Sequence, residues 1–141
     1  MNIEVTSFPS QEDLKTLSDG IKSYNQDHLP DEVVFEPDTR FLVLARNETG
    51  NVVGGIRANA YWNYCLIELL WIAEEYRGAG IGSQLMASAE KFAKGKGFEY
   101  IRTETVSFQA KPFYLKLGYR VFGELPDYPK GHTTYCLIKK L

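Results

Sequence analysis

The most constraining feature of this sequence is a glycine-rich stretch, Arg-Gly-Ala-Gly-Ile-Gly, at residues 77–82. A short apolar run with Trp and Ile precedes it at residues 66–73, which predicts a buried strand. A helical pattern follows, so the glycines are predicted to lie at a helix N-terminus. The first backbone N–H groups of a helix lack internal acceptors and lie at the positive end of its dipole. Since glycines let phosphate oxygens approach closely, residues 77–83 predict a site for a phosphate-bearing cofactor.

Three kinds of phosphate-binding loop compete for this stretch. A P-loop requires Gly-Lys-Ser/Thr, and no Lys follows Gly82. A dinucleotide-binding loop is disfavoured because Ser83 takes its third glycine position and charged residues separate the strand from the glycines. The pattern Arg/Gln-x-x-Gly-x-Gly/Ala is matched at Arg77, Gly80 and Gly82. It resembles the pyrophosphate loop of the GNAT acetyltransferases, which bind acetyl-CoA. The alternative is a glycine-rich connector that binds no ligand.

A second motif supports this resemblance. The sequence Tyr-Leu-Lys-Leu-Gly-Tyr at residues 114–119 is similar to the family's downstream motif Tyr-x-Lys-x-Gly-Phe/Tyr. Two motifs in the expected order are more specific than either alone, and the resemblance covers roughly residues 40–141. Two positions depart from the family. Glu74 stands where Pro is frequent, and Ser107 stands near a frequent Asn that contacts the cofactor. The Ser107 hydroxyl can donate a hydrogen bond, but with a shorter reach.

The resemblance implies an N-acetyltransferase that uses acetyl-CoA as cosubstrate, needs no metal, and works by direct attack in a ternary complex. In this family the fourth strand bulges and splays from the fifth, and the pantetheine arm pairs with its free backbone groups. The implied cofactor-binding residues are Leu70, Trp71, Ile72, Arg77, Gly78, Ala79, Gly80, Ile81, Gly82, Ser83 and Ser107. Tyr114 matches the family's usual proton donor to the departing thiolate, and a packing role is the alternative.

The catalytic base is not fixed by either motif. Glu68 interrupts an apolar strand, where a carboxylate is costly unless it is paired or used. It precedes Leu70 by two residues, so one sheet face could point it at the acceptor, unless a bulge changes the alternation. Glu104 and plain water are competing bases. Pairing of Glu68 with Arg57 across the hairpin is the structural alternative.

Composition limits the other classes of function. The length of 141 residues, with 44% apolar content, predicts one folded domain over residues 1–141. Acids outnumber bases 18 to 16, which argues against a nucleic-acid partner. Cys65 and Cys136 lie in apolar runs and, with His28 and His132 isolated, fit no metal pattern, so we expect free thiols in a reducing cytoplasm. The sequence start predicts neither a signal peptide nor a membrane span. A homodimer is left open.

The order of predicted elements is β-α-β-β-β-α-β-α-β-β, an α/β class with a mixed twisted sheet. We expect six to seven strands, three to four helices on both faces, and the splayed strands 4 and 5 of the GNAT fold. The first strand rests on alternating apolar and polar residues at positions 2–8. Gly54 and Gly55, inside another strand, predict a bulge or a close packing approach.

An acidic segment lies between the first helix and the next strand. Residues 26–39 contain no Lys or Arg and carry five acids: Asp27, Asp31, Glu32, Glu36 and Asp38. GNAT proteins commonly shape the acceptor pocket here, so the segment predicts a rim for a cationic small molecule or a peptide amine. A solvated loop is the other interpretation. A CoA-binding sensor without turnover is the alternative function, and Tyr114 favours the enzyme.

Overall fold

The structure, a computed structural model, describes residues 1–30 and 39–141. The chain divides into two compact units, Met1–Phe35 and Glu36–Leu141. The single domain over residues 1–141 therefore stays a prediction. Of the acidic segment, Asp27 is described, whereas Asp31, Glu32, Glu36 and Asp38 lie outside the described residues.

The first unit contains helix α1, Gln11–Gln26, whose start follows from the sequence, because Ser10 with Glu12 and Asp13 after it is typical of a helix N-terminus. Ser10 is its N-cap, and the Ser10 Oγ accepts the Asp13 amide at 3.0 Å. The predicted strand at residues 2–8 is wrong, because these residues form no strand. Alternation specifies only which side chains share a face. A strand also needs a partner backbone, and none pairs with residues 2–8 in the described part of the chain.

The second unit is a six-stranded mixed sheet with strand order β1-β2-β3-β4-β6-β5. Its strands are β1 Thr39–Arg46, β2 Val52–Tyr61, β3 Tyr64–Ile72, β4 Tyr100–Val106, β5 Arg120–Pro126 and β6 Thr133–Lys140. The β3–β4 pair is parallel, and the other four pairs are antiparallel. Helix α2, Ile81–Gly95, makes the crossover between the parallel strands, and the short α3, Lys111–Lys116, follows β4. This confirms the predicted α/β class and mixed sheet.

The core lies between one face of the sheet and α2. Leu85, Met86 and Ala89 recur on one side of α2 and are buried against the central strands. Ile67 and Ile101 face them from β3 and β4, where they are 2% and 0% exposed. Within residues 1–30 and 39–141, no helix is both long and apolar enough to cross a bilayer.

Close packing explains the glycine pair in β2. A Cβ at Gly55 would lie 2.7 Å from the Val43 carbonyl oxygen, and one at Gly54 would lie 3.0 Å from the Trp71 carbonyl oxygen. Both distances are shorter than ordinary van der Waals contact. The predicted close approach at this pair is therefore confirmed.

The parallel strands separate part of the way along their length. β3 and β4 pair at four positions, from Tyr64 opposite Tyr100 to Ile67 opposite Thr103. Beyond Ile67, the side of β3 that faces β4 has no strand partner among the described residues. We call this separation the fork. Because residues 2–8 form no strand, the predicted strands 4 and 5 are β3 and β4 of the structure. The fork therefore confirms the predicted splay, and it leaves a gap in the middle of the sheet.

Candidate active site

A cavity of about 580 Å³ occupies the gap of the fork. Its walls come from the ends of β3 and β4, from α3, and from the connection between β5 and β6. The lining residues include Glu68, Leu70, Thr103, Glu104, Gln109, Tyr114 and Tyr128. Sequence-predicted residues from two separate elements, Glu68 on β3 and Tyr114 on α3, therefore meet in one cavity.

A β-bulge begins the open part of β3. Arg57 of β2 lies opposite Leu69, and the next residue, Ala58, lies opposite Ile67, which leaves Glu68 without a partner in β2. The extra residue changes the alternation, so Ile67 and Leu70 both lie on the core side. The face of the sheet on which Glu68 lies therefore cannot be read from simple alternation counted back from Leu70.

The three residues expected to meet the pantetheine arm lie at the end of β3. Leu70 and Ile72 are half-buried, and Trp71 is exposed. On the opposite edge they pair with β2, at Ile56, Gly55 and Gly54. An extended chain entering the gap would find an open strand edge at residues 70–72, in the way that peptides add to sheet edges.

The glycine-rich loop leads into the N-terminus of α2, as predicted. Gly78 and Gly80 have φ angles of 78° and 80°, and Gly80 is the N-cap. No heavy atom lies within 4 Å of a Cβ built on either glycine. Among the described residues, no acceptor pairs with the backbone amides of residues 78–83. The loop therefore presents a set of free donors at the positive end of a 15-residue helix, which suits a pyrophosphate.

Two contacts connect this loop to β3 and α3, two of the elements that form the walls of the cavity. The Arg77 Nε donates to the Ile72 carbonyl oxygen at 2.9 Å, which fixes the loop to the end of β3. Gly82 packs on α3, because a Cβ there would lie 3.2 Å from the Phe113 Cζ. Gly82 thus allows close packing against α3, whereas Gly78 and Gly80 allow the positive φ angles of the turn.

Tyr114 is 5% exposed and lines the cavity of the fork. Burial raises the pKa of its phenol, and the neighbouring Thr103 hydroxyl offsets part of that rise. Its ring meets Phe113 and Tyr119 edge to face, with ring centroids 5.1 Å and 5.8 Å away. The phenol is thus held in place and stays protonated at neutral pH, as a proton donor requires.

Glu68 is paired, as the structural alternative predicted. Its Oε2 accepts the Arg57 Nε at 2.5 Å, and the side chains of Arg57 and Glu68 are 58% and 30% exposed. Glu68 also lines the cavity, together with Glu104 from β4. Because only one oxygen of Glu68 is engaged by Arg57, pairing leaves the other oxygen available as a proton acceptor.

Ser107 lies just beyond β4, next to the lining residue Val106, but is not itself among the residues that line the cavity. Its Oγ lies 3.4 Å from the His132 Nδ1 and accepts the Thr133 amide at 3.4 Å. Sequence reasoning missed Gln109, which lines the cavity and whose Oε1 accepts the Val106 amide at 2.8 Å. It also missed Thr103, because a Thr in a strand gives no functional signal.

Comparison of the sequence with known proteins identifies the family. The sequence model of the Acetyltransferase (GNAT) family matches residues 2–119. The chain is 39% identical over 102 residues to blasticidin-S acetyltransferase of Streptomyces morookaense, covering 72% of this chain and 75% of the relative.

Solved structures share the fold. An acetyltransferase from Bacillus cereus superposes with a TM-score of 0.86 at 34% identity, covering 98% of each chain. An acetyltransferase from Bacillus anthracis, solved in complex with acetyl coenzyme A, superposes with a TM-score of 0.66 at 23% identity, covering 80% of this chain and 68% of that one. At that identity, the second likeness concerns the fold alone.

The sequence match extends over most of the chain, and the fork, the free loop amides and the open strand edge are features that an acetyl-CoA site needs. The chain belongs to the GNAT family and is an acetyl-CoA-dependent N-acetyltransferase.

Proposed function

We propose that this enzyme acetylates the amine of a small cationic molecule by direct attack in a ternary complex, with Tyr114 as general acid. The observation that carries the proposal is the buried Tyr114 phenol, which lies in the cavity where β3 and β4 part. A protein that only bound CoA would have no need of a proton donor at this place.

Two parts of the chain hold the cosubstrate, which supplies the acetyl group as a thioester. The free amides of residues 78–83 bind the pyrophosphate at the helix N-terminus. The open edge at residues 70–72 pairs with the pantetheine arm and directs it into the gap. A backbone N–H of this edge donates to the carbonyl oxygen that gains charge during transfer. Ser107 adds a contact only if its hydroxyl turns away from His132.

Two side chains carry out the proton transfers of the reaction. Tyr114 donates its phenolic proton to the sulfur that leaves as the new C–N bond forms. The free oxygen of Glu68 accepts the proton that the amine nitrogen loses, either directly or through a water molecule. Arg57 holds the Glu68 carboxylate during this step. Neither Cys65, which is buried, nor Cys136 lines the cavity, so no acetyl-enzyme is expected.

The proposed acceptor rests on the charge of the cavity and on the name of a related protein. Glu68 and Glu104 give the cavity two carboxylates, which favours a positively charged amine. The Streptomyces relative is named for acetylating blasticidin-S. A small molecule fits a cavity of about 580 Å³ better than a protein segment does. The free thiols Cys65 and Cys136 support a reducing compartment such as the cytoplasm.

The test is an acetyl-CoA thiol-release assay with a panel of amines. The panel contains blasticidin S, polyamines, neutral amines and acidic amines at equal concentrations. We expect the highest kcat/KM for cationic members, with a rate that falls as salt rises. Preference for neutral or acidic amines would contradict the proposed acceptor. CoA binding without turnover of any amine would favour a sensor.

A single variant tests the role of Tyr114. Tyr114→Phe removes the phenolic proton and keeps the ring, so we expect kcat to fall by about 10²-fold, the scale of general acid catalysis. CoA affinity by calorimetry should remain within about twofold, since the loop and the strand edge are untouched. Unchanged kcat would remove Tyr114 from the mechanism, and ping-pong kinetics would remove direct attack.

A further inference from the structure

We propose that Tyr128 determines which acceptors the enzyme takes, because its aromatic ring binds a second positive group of the acceptor, separate from the amine that is acetylated. The inference rests on the proposed function and deepens it, since it describes the acceptor as a molecule with at least two cationic groups. Tyr128 belongs to neither of the two family motifs.

The residues around the fork cavity favour a cation. Of the described residues that line it, Glu68 and Glu104 are acidic, and none is Lys, Arg or His. Arg57, which pairs with Glu68, does not line it. Two tyrosines, Tyr114 and Tyr128, complete this part of the wall. Carboxylates attract a cation, and an aromatic face binds one that lies within about 6 Å of the ring centroid.

The connection between β5 and β6 holds the backbone of Tyr128 in place. The Tyr128 N–H donates to the His132 carbonyl oxygen at 3.0 Å, and the Tyr128 carbonyl oxygen accepts the buried Thr134 hydroxyl at 2.5 Å. A further bond, from the Gly131 N–H to the Asp127 Oδ1 at 2.7 Å, closes the turn. The position of Tyr128 is therefore set before any ligand arrives.

The side chain of Tyr128, unlike its backbone, is available to a ligand. Tyr128 is 59% exposed, whereas Tyr114 in the same cavity is 5% exposed. Every hydrogen bond that Tyr128 makes among the described residues involves its backbone. A tyrosine side chain has only two χ angles, so binding a ligand costs it little conformational entropy. An exposed ring on a fixed backbone therefore suits recognition of the acceptor.

The positive group at Tyr128 must differ from the reacting amine. The attacking nitrogen has to be neutral, so it loses its charge before the new C–N bond forms. In the proposed mechanism, this nitrogen lies near Tyr114 and Glu68, which transfer the protons. A cation against the Tyr128 ring is therefore a second group, such as another ammonium or a guanidinium.

Two substitutions separate the ring of Tyr128 from its hydroxyl. Tyr128→Leu removes the aromatic face and keeps an apolar side chain, whereas Tyr128→Phe keeps the ring. The acceptor is the amine with the highest kcat/KM in the panel described above. We expect Tyr128→Leu to raise its KM about fivefold to 30-fold, the range for a cation over an aromatic face, with kcat and the CoA Kd within about twofold. In Tyr128→Phe, the KM should change less than about twofold, since the ring remains.

The second cation is tested on the acceptor itself. In a derivative of the same amine, a cationic group other than the reacting amine is acylated, which removes its charge. This change should raise the KM of the wild-type enzyme, and the rise should be about fivefold to 30-fold smaller in Tyr128→Leu. An equal rise in both enzymes would mean that the carboxylates alone bind the cation, which contradicts the inference. A best acceptor with a single cationic group would contradict it as well.

Phe122→Leu is the matched control, because Phe122 lies on β5, is 51% exposed and does not line the cavity. It should leave the KM of the acceptor unchanged. Thermal unfolding shows whether each variant is folded, and Tyr128→Gln serves the same test should Tyr128→Leu fail to fold. An unchanged KM in Tyr128→Leu, or equal rises in the Leu and Phe variants, would overturn this inference and leave the proposed function standing. A wild-type preference for neutral or acidic amines would overturn both.

Discussion

Replacing Gly80 by Ala tests whether the glycine-rich loop binds the pyrophosphate. Gly80 has a φ of 80°, where a side chain costs about 1–2 kcal/mol, and no heavy atom lies within 4 Å of the added Cβ. The folded protein should therefore lose stability from backbone strain alone, without a steric clash. At roughly 2–4 °C per kcal/mol for a chain of this size, the Tm should fall by about 2–8 °C.

The effect of Gly80→Ala on CoA should exceed this strain. The Cβ would project into the open space at the N-cap of α2, where residues 78–83 present their amides. A hydrogen bond to a charged group contributes about 1.5–3 kcal/mol, so loss of one such bond raises the CoA Kd by about tenfold to 150-fold. Calorimetry with CoA measures the change directly.

Gly97→Ala is the matched control. Gly97 has a φ of 90°, also has no heavy atom within 4 Å of an added Cβ, and follows the opposite end of α2. Its strain should lower the Tm by a similar amount and leave the CoA Kd unchanged. An unchanged Kd for Gly80→Ala, or equal changes in Kd for the two variants, would refute the assignment of the loop.

Three further variants or conditions give separate tests. Glu68→Gln should lower kcat/KM most at acid pH, where the acceptor amine is mostly charged, and an unaltered pH–rate profile in a folded variant would rule out a base role. The same variant should cost under about 1 kcal/mol of stability, because the ion pair of Glu68 with Arg57 is partly exposed to solvent. Burial raises the pKa of Tyr114, and the protonated phenol is the active form, so deprotonation of Tyr114 should not lower kcat below the ordinary tyrosine value of about pH 10. A decline in kcat at lower pH that disappears in Tyr114→Phe would contradict this expectation. Tyr119→Phe removes the hydrogen bond from the Tyr119 hydroxyl to the Glu90 carboxylate at 2.9 Å, while Lys139 still pairs with Glu90. Because the acceptor is charged, urea unfolding should show a loss of about 1.5–3 kcal/mol, and an unchanged midpoint would mean that water replaces the bond.

The sequence was informative where a local pattern has one physical solution. The helix periodicity at α2, the Ser10 cap of α1 and the Gly54–Gly55 contact all agree with the structure. The loop at residues 77–82 could be located because positive φ angles and free helix N-terminal amides both leave a glycine pattern. Through the family resemblance, the same pattern also predicted the fork.

Features set by pairing between distant strands could not be predicted in this way. The alternation at residues 2–8 predicted a strand, but nothing local in the sequence shows whether a partner exists. The family resemblance implies a bulge in this strand, but its position at Glu68 depends on the register with β2, and no residue at the bulge marks it. Gln109 and Thr103 enter the site through hydrogen bonds to backbone groups, which ordinary polar residues can make at many positions.

The fork also makes ligand occupancy a contribution to stability. Within residues 39–141, two groups of three strands, β1-β2-β3 and β4-β6-β5, pair with each other at only four positions. A ligand chain lying in the gap would act as a removable seventh strand that joins both halves. By mass action, a ligand at 100 times its Kd adds about 2.7 kcal/mol to the folded state. Backbone amides along the inner edges of β3 and β4 should therefore exchange their hydrogens faster in the empty enzyme than in the enzyme with CoA bound in the gap.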